Sequence, residues 1–397
     1  MALYIRNKAH SLHSGRGTRS SFEKLRALLG SFDGESGLQN VRHLKFTNFH
    51  NHMNKTLDIL SAKRFELDSL TVQTTTVGSN AAWEKFVTVH CGQMSSVHLN
   101  AVRLNVKSLS LALSLTTLTE VRLIDVGPLG RSIAWGALKE LRILDIFFAS
   151  KTAESMNSVF MLSKLSCLSH LTRLQLANIS LDERNLEQAT TASAGFNKLE
   201  RISLRRSFAA QNSYTNNVLF FLLKNAVKLR SLDLQGCSTF DLADIWVTLG
   251  PLLNRPNLKE LDISQCNAKY GLGDMFVECA DIKPNLSKLI MRHGSTKISS
   301  KNSKCVLLNP KQSNLKGMET SHFDGFILSF VNGNMNLTAL DITRTPISDR
   351  QILQIITGRN GIEGLDLTGC YSAPRGWRRL VRREEFDKLV RIVQQLQ

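Results

Sequence analysis

The chain has 397 residues, more than one ordinary globular core holds, so it is either multidomain or an elongated repeat protein. Hydrophobic residues make up 42% and aromatic residues only 7%, a balance that suits a folded chain with a leucine-packed core. The formal charge of +17 favours acidic partners, whether protein, nucleic acid or inositol phosphate, while the longest apolar runs, at 109–115 and 218–223, fall short of the ~18 residues a membrane helix needs and exclude a membrane protein.

The first elements in chain order are weak. Residues 1–37 form a basic segment, expected to be partly disordered. Its first 21 residues carry Arg6, Lys8, Arg16 and Arg19, five serines or threonines and no acid. That composition fits a basic disordered arm, the remnant of an upstream domain, or a mitochondrial transit peptide. Only residues 22–29 (FEKLRALL) read as helix.

A recurring pattern begins near residue 38. Its weak copies are VRHLKF from Val41, LDSLTV from Leu67, MSSVHL from Met94, LTEVRL from Leu118 and LRILDI from Leu141. The strong copies follow: LTRLQLANI from Leu171, LERISLRRS from Leu199, LRSLDLQGC from Leu229, LKELDISQC from Leu258, LSKLIMRHG from Leu286, LTALDITRT from Leu337 and IEGLDLTGC from Ile362. A further copy, LKGMET, starts at Leu315. The second apolar position falls at 44, 70, 97, 121, 144, 174, 202, 232, 261, 289, 318, 340 and 365, a near-constant phase for about 13 repeats. Between Leu99 and Leu118, Val106, Leu109 and Leu111 offer a competing register.

In each copy the side chains alternate, which predicts a short strand with its leucines inward and the intervening residues outward. Helical segments are expected between strands at 216–227, 242–253, 323–331 and 350–357. The fold class is therefore α/β: a leucine-rich-repeat solenoid over 38–372, a curved horseshoe with parallel strands on the concave face and helices on the convex face. Cys237, Cys266 and Cys370 sit where such repeats place Asn or Cys and read as small buried packing residues. The seven cysteines are odd in number and free of CxxC spacing, so no disulfide framework or zinc finger is expected.

The 28–30-residue spacing, the LDL and LDI strands and the endings Gly236-Cys237, Gln265-Cys266 and Gly369-Cys370 resemble the cysteine-containing, ribonuclease-inhibitor-like repeats of F-box/leucine-rich-repeat proteins. The resemblance is best from 170 onward. It implies a non-catalytic protein-protein interaction module that serves as the substrate-recognition component of a cullin-RING (SCF-type) ubiquitin ligase, with a ubiquitin-ligase adaptor as second partner. The Leu-Pro opening and Cys-x-x-Trp of an F-box are not found in the sequence. The alternatives are a plain repeat scaffold and a polyanion-binding protein.

The concave face should carry Arg173, Gln175, Arg201, Ser203, Arg205, Ser231, Asp233, Gln235, Glu260, Asp262, Ser264, Lys288, Arg292, Asp341, Thr343, Asp366 and Thr368. It is mixed in sign, which disfavours a nucleic-acid face. The aspartates admit a second reading as caps of neighbouring turns. After Cys370, Pro374 ends the repeats and 373–397 reads as a basic cap, with a helix at 384–396. Before that helix Arg375, Trp377, Arg378, Arg379, Arg382 and Arg383 form either a polyanion patch or a solvated face packed through the tryptophan.

No HExxH, GxxxxGK[ST], GxSxG, GxGxxG after a strand or DxDxDG run is present, so the chain is read as a non-enzyme without cofactor or metal. His43, His50 and His52 form the closest histidine set, but without a nearby thiol or carboxylate they read as an exposed loop. The expected location is cytoplasmic or nuclear, with mitochondrial as the alternative.

Overall fold

The computed structural model of the chain describes residues 2–6, 27, 39–47, 53–63, 65–76, 80–126, 129, 133–148, 159–161, 165, 167–182, 196–209, 222–237, 255–265, 285–292, 331, 334–345, 347–358, 361–371 and 373–395. They fall into two compact units, Met1–Lys198 and Leu199–Gln397.

Unit 1 contains β1 (Ala2–Arg6), β2 (His43–Thr47), β3 (Ser69–Thr76), β4 (Ser96–Arg103), β5 (Glu120–Ile124), β6 (Ile143–Phe147), β7 (Val159–Met161), β8 (Arg173–Ala177) and β9 (Ser180–Asp182). From β1 to β6, and then to β8, each strand lies parallel to the next. Leucine or valine faces leucine or valine on successive rungs: Leu44 beside Leu70, then Val97, Val121, Leu144 and Leu174. All six are at most 1% exposed, because the two-residue period of a strand sends every second side chain to the interior. Helices α1 (Met53–Ser61), α2 (Asn80–His90) and α3 (Val106–Ala112) return the chain between rungs. Asn105 caps α3 by accepting a bond from Ser108 N, so the competing register through Val106 and Leu109 is helix rather than strand. β7 and β9 pair separately.

Unit 2 contains β10 (Arg201–Ser203), β11 (Phe208–Ala209), β12 (Ser231–Asp233), β13 (Glu260–Asp262), β14 (Lys288–Ile290), β15 (Ala339–Asp341), β16 (Gly364–Asp366) and β17 (Leu380–Arg382), with α4 (Asp349–Thr357) and α5 (Phe386–Gln395). Its rungs align Ile202, Leu232, Leu261, Leu289, Leu340 and Leu365 in parallel. Ser348 and Gln351 close a capping box at the start of α4. β17 then reverses and runs antiparallel to β16.

The ladder and its helices make an α/β leucine-rich-repeat solenoid. One expectation is corrected. Residues 2–6 of the basic N-terminal segment are a strand, paired with β2 through Leu3 and Leu44. The copy LKGMET lies outside the described residues; β14 and β15, on either side of it in the sequence, are direct hydrogen-bonded neighbours. Of the expected helices, residues 222–225 and α4 are helical, whereas 242–253 and nearly all of 323–331 lie outside the described residues.

A second regularity accompanies eight strands, β4, β5, β8, β10, β12, β13, β15 and β16. Ala101, Asp125 and Asn178 in unit 1, and Arg206, Gln265 and Arg344 in unit 2, have φ between 48° and 58°; Gly236 and Gly369 have 69° and 71°. Each stands one residue before the Asn-or-Cys position, and all but Ala101, which lies inside β4, stand where the chain turns left-handed to leave the sheet. A side-chain-bearing residue there costs about 1–2 kcal/mol. A bond to the next coil offsets it, as where Arg206 N donates to Gln235 O (2.7 Å), Gly236 N to Ser264 O (2.7 Å) and Arg344 N to Thr368 O (2.8 Å). Cys237 and Cys370 are buried at the following position, with their thiols donating to Leu204 O and Ile342 O of the preceding coil.

Candidate protein-binding faces

In unit 1 the outward residues of β4, β5, β6 and β8 form one network. Glu120 on β5 contacts His98 Nε2 at 3.0 Å. Asp145 on β6 lies between Arg173 Nε at 3.0 Å and Arg122 Nε at 3.5 Å. Arg173 also donates to Gln175 Oε1 at 3.0 Å. Arg122 Nε and Glu120 Oε1, both buried, touch as an ion contact of 2.5 Å without an aligned hydrogen bond. Asp145 is 8% exposed, and burial pushes its carboxyl above the usual range, against the pull of Arg173 and Arg122.

Unit 2 uses a different device. Asp233, Asp262, Asp341 and Asp366 share one register row, and the Oδ1 of each accepts the backbone N–H two residues on, from Gln235 (3.0 Å), Ser264 (2.9 Å), Thr343 (3.2 Å) and Thr368 (3.0 Å). These are Asx turns that launch the exit from the strand. The second oxygen of Asp233 accepts from Ser203 Oγ and from Arg205, and that of Asp341 accepts from Arg292 at 2.6 Å. The hydrogen bond to Asp341 holds the Arg292 guanidinium more firmly charged than usual. Burial, then, pushes the Asp262 carboxyl up. Arg201, Glu260 and Lys288 are exposed on the same strands.

Each half-exposed ion pair of this kind contributes about 0–1 kcal/mol to stability. Their weight is in orientation, since long side chains that would sample many rotamers are held in one. Sequence reasoning named Arg173 and Gln175 but missed His98, Glu120, Arg122 and Asp145. The signal was present in MSSVHL, LTEVRL and LRILDI, whose flanking positions hold these four residues.

The C-terminal arginines divide. Arg378 donates to Ala373 O (2.9 Å) and Tyr371 O (2.6 Å), and lies over the Tyr371 ring. Arg379 makes a two-pronged pair with Glu385, lies over Trp377 with its guanidinium carbon 5.2 Å from the ring centre, and donates to Leu380 O. Arg383 donates to Ile362 O at 3.1 Å. Arg375 and Arg382 are exposed. His43 donates to or accepts from Ser69 Oγ at 2.8 Å, while His50 and His52 lie outside the described residues, as does Cys266. Among the described residues no three His, Cys, Asp or Glu side chains converge on a metal position, and no helix is long and apolar enough to cross a membrane.

Neither a protein-family model nor a curated protein matches the sequence. Among solved structures the chain is similar to yeast Rad7 in its complex with Elc1, at 18% identity over 68% of this chain and 75% of that one, with a TM-score of 0.37. It is similar to internalin C2 of Listeria monocytogenes at 17% identity, over 61% of this chain and 92% of that one, TM-score 0.39. A third likeness is to the leucine-rich-repeat ectodomain of the Arabidopsis thaliana receptor kinase GASSHO1/SCHENGEN3, in complex with CASPARIAN STRIP INTEGRITY FACTOR 2. There the identity is 14%, over 82% of this chain and 35% of that one, TM-score 0.40.

Proposed function

We propose that the chain is a non-catalytic protein-binding module whose partner docks on the outward strand faces. The observation that carries this reading is the fixing of those faces. Arg173, Arg205 and Arg292 are each tied to an aspartate of an adjacent strand, so their ordering is already in place before a partner arrives. The finer proposal is the substrate-recognition component of a cullin-RING, SCF-type ubiquitin ligase, acting in the cytosol or nucleus. Its support is the repeat subtype, in which Gly-Cys and Gln-Cys endings recur at Gly236-Cys237, Gln265-Cys266 and Gly369-Cys370. We read the arginines at 375–383 as part of the cap rather than as a polyanion site, because Arg378, Arg379 and Arg383 are committed within it.

The test is affinity purification of the full-length chain from its own cells at moderate salt, followed by mass spectrometry. An adaptor and a cullin among the captured proteins is the expected result. Their absence, with one dominant partner retained, removes the ligase role and keeps the module. A tagged chain found in mitochondria would remove the assignment of compartment.

A further inference from the structure

We propose that the β4–β5–β6–β8 face of unit 1 reads an acidic protein segment, in which an Asp or Glu stands two residues from a bulky apolar side chain. This rests on the protein-binding reading above and names the partner's chemistry. The face is not mixed in sign as a partner meets it, because cations and anions lie at different depths. The Arg173 side chain is 36% exposed where Asp145 is 11%, and Arg122 is 39% where Glu120 is 24%. The carboxylates lie beneath as anchors, and the guanidiniums lie above.

Donor capacity is left over. Among the described residues neither terminal nitrogen of Arg122 has a hydrogen-bond acceptor, and Gln175 spends its carbonyl on Arg173, so its amide N–H groups point to no partner. A carboxylate is the acceptor that such a preorganised set binds best. A partner cation would meet the guanidiniums first.

The apolar half of the specificity comes from the same strands. Ile124 and Phe147 are register partners, half-buried, one pleat beyond Arg122 and Asp145, and Ile143 lies half-buried on the other side. By contrast β2, β3 and β4 turn only polar side chains outward at His43, Lys45, Thr47, Ser69, Thr71, Gln73, Ser96, His98 and Asn100. One pleat spans about 7 Å, which is also the i to i+2 spacing of an extended segment. A single strand-like segment therefore places a carboxylate on Arg122 and Arg173 and an apolar side chain on Ile124 and Phe147.

The experiment is selection of random twelve-residue displayed peptides on the immobilised full-length chain, followed by anisotropy with the enriched peptides. The comparison variant is the double substitution Asp145→Asn with Arg173→Gln, which removes the ion pair without leaving a buried charge alone. Phe147→Ser is a second variant, at a half-exposed position that leaves the ion network intact. Enriched peptides should carry Asp or Glu two residues from a bulky apolar residue and bind each variant on the order of tenfold more weakly, the loss expected for one charge-assisted bond or one apolar contact. Peptides that are basic or uncharged, or that ignore both variants while depending on unit 2 residues such as Arg205, overturn the inference and leave the protein-binding reading standing. Competition at this face by a uridine homopolymer of equal length, without any acidic peptide enriched, assigns it to RNA and overturns the inference. Peptides insensitive to substitutions on the faces of both units overturn the two together.

Discussion

Gly369 and Arg344 occupy equivalent left-handed positions on neighbouring coils, and the arginine stem lies across the glycine. A Cβ on Gly369 would stand 2.7 Å from Arg344 Cγ, and one on Gly236 would stand 2.8 Å from Arg206 Cγ. Gly369→Ala should therefore destabilise by about 1–2 kcal/mol from the backbone alone, with the clash added to it, read as a lower urea midpoint. Gly92 has ordinary φ and nothing within 4 Å of a new Cβ, so Gly92→Ala should leave the midpoint unchanged or raise it. His90 gives a pH prediction. Its ring nitrogens lie 2.9 Å from Phe65 O and 2.9 Å from Leu60 O, stacked on Phe65, and burial outweighs those two carbonyls to hold the imidazole below its ordinary range. The folded chain thus prefers the neutral ring, so this contribution is full above the unfolded value of about 6.5 and is lost as pH falls below it. Unfolding followed at several pH values should show that slope, and His90→Gln should flatten it.

At the level of elements, the last strand solves the exposed-edge problem. β17 is an edge, whose outward groups invite another strand. Arg379 donates to Leu380 O, and Glu385 accepts from Arg382 N at 3.2 Å, so one ion pair blunts the edge from both sides. The Arg379 guanidinium holds the Glu385 carboxyl down at about 2. Its protection is present above the unfolded value of about 4.3 and lost as pH falls through about 2. Glu385→Gln should speed amide exchange across 380–382 at neutral pH while leaving exchange in β12 and β13 unchanged. Behind the edge, Leu389 and Val393 on α5 are fully buried with Phe386. Leu389→Ala should cost about 2–5 kcal/mol, seen as a loss of unit 2 stability in thermal unfolding. The helix of this cap is legible in EEFDKLVRIVQQL, because five apolar residues at helical spacing leave little choice. The reversing strand is not: LVR has three residues, and only its neighbour in space makes it a strand. β1 escaped notice for the same reason, since LYIR stands far from the first recognisable copy.

For the whole molecule, the inward leucines wrote the ladder plainly into the sequence, because one residue type repeated in phase is what a solenoid core requires. The outward residues were legible by position only. Which of Asp145 and Arg173 lies above the other depends on side-chain length and on a neighbouring strand, and no spacing rule records that. The turn-capping role of the LDL aspartates was one of two readings the pattern allowed, and Asp366 with Thr368 shows it is local chemistry. A chain of +17 should also draw an acidic partner from a distance. Raising ionic strength from about 0.05 to 0.5 M should slow association several-fold in stopped-flow mixing and change dissociation less, since the Debye length shrinks well below 10 Å.

The direct pairing of β14 with β15 bears on what the chain tolerates. Thr338 Oγ1 donates to Ser287 O on the adjacent coil although the two are 51 positions apart, against 28 for Ser287 and Lys259 on the coil before. Closing a connection about twice as long costs only about 0.6 kcal/mol more, less than one typical hydrogen bond contributes. The long connection therefore weakens the join between these rungs by less than one hydrogen bond contributes, and Leu289 stays beside Leu340 in the register that the rungs next to them keep.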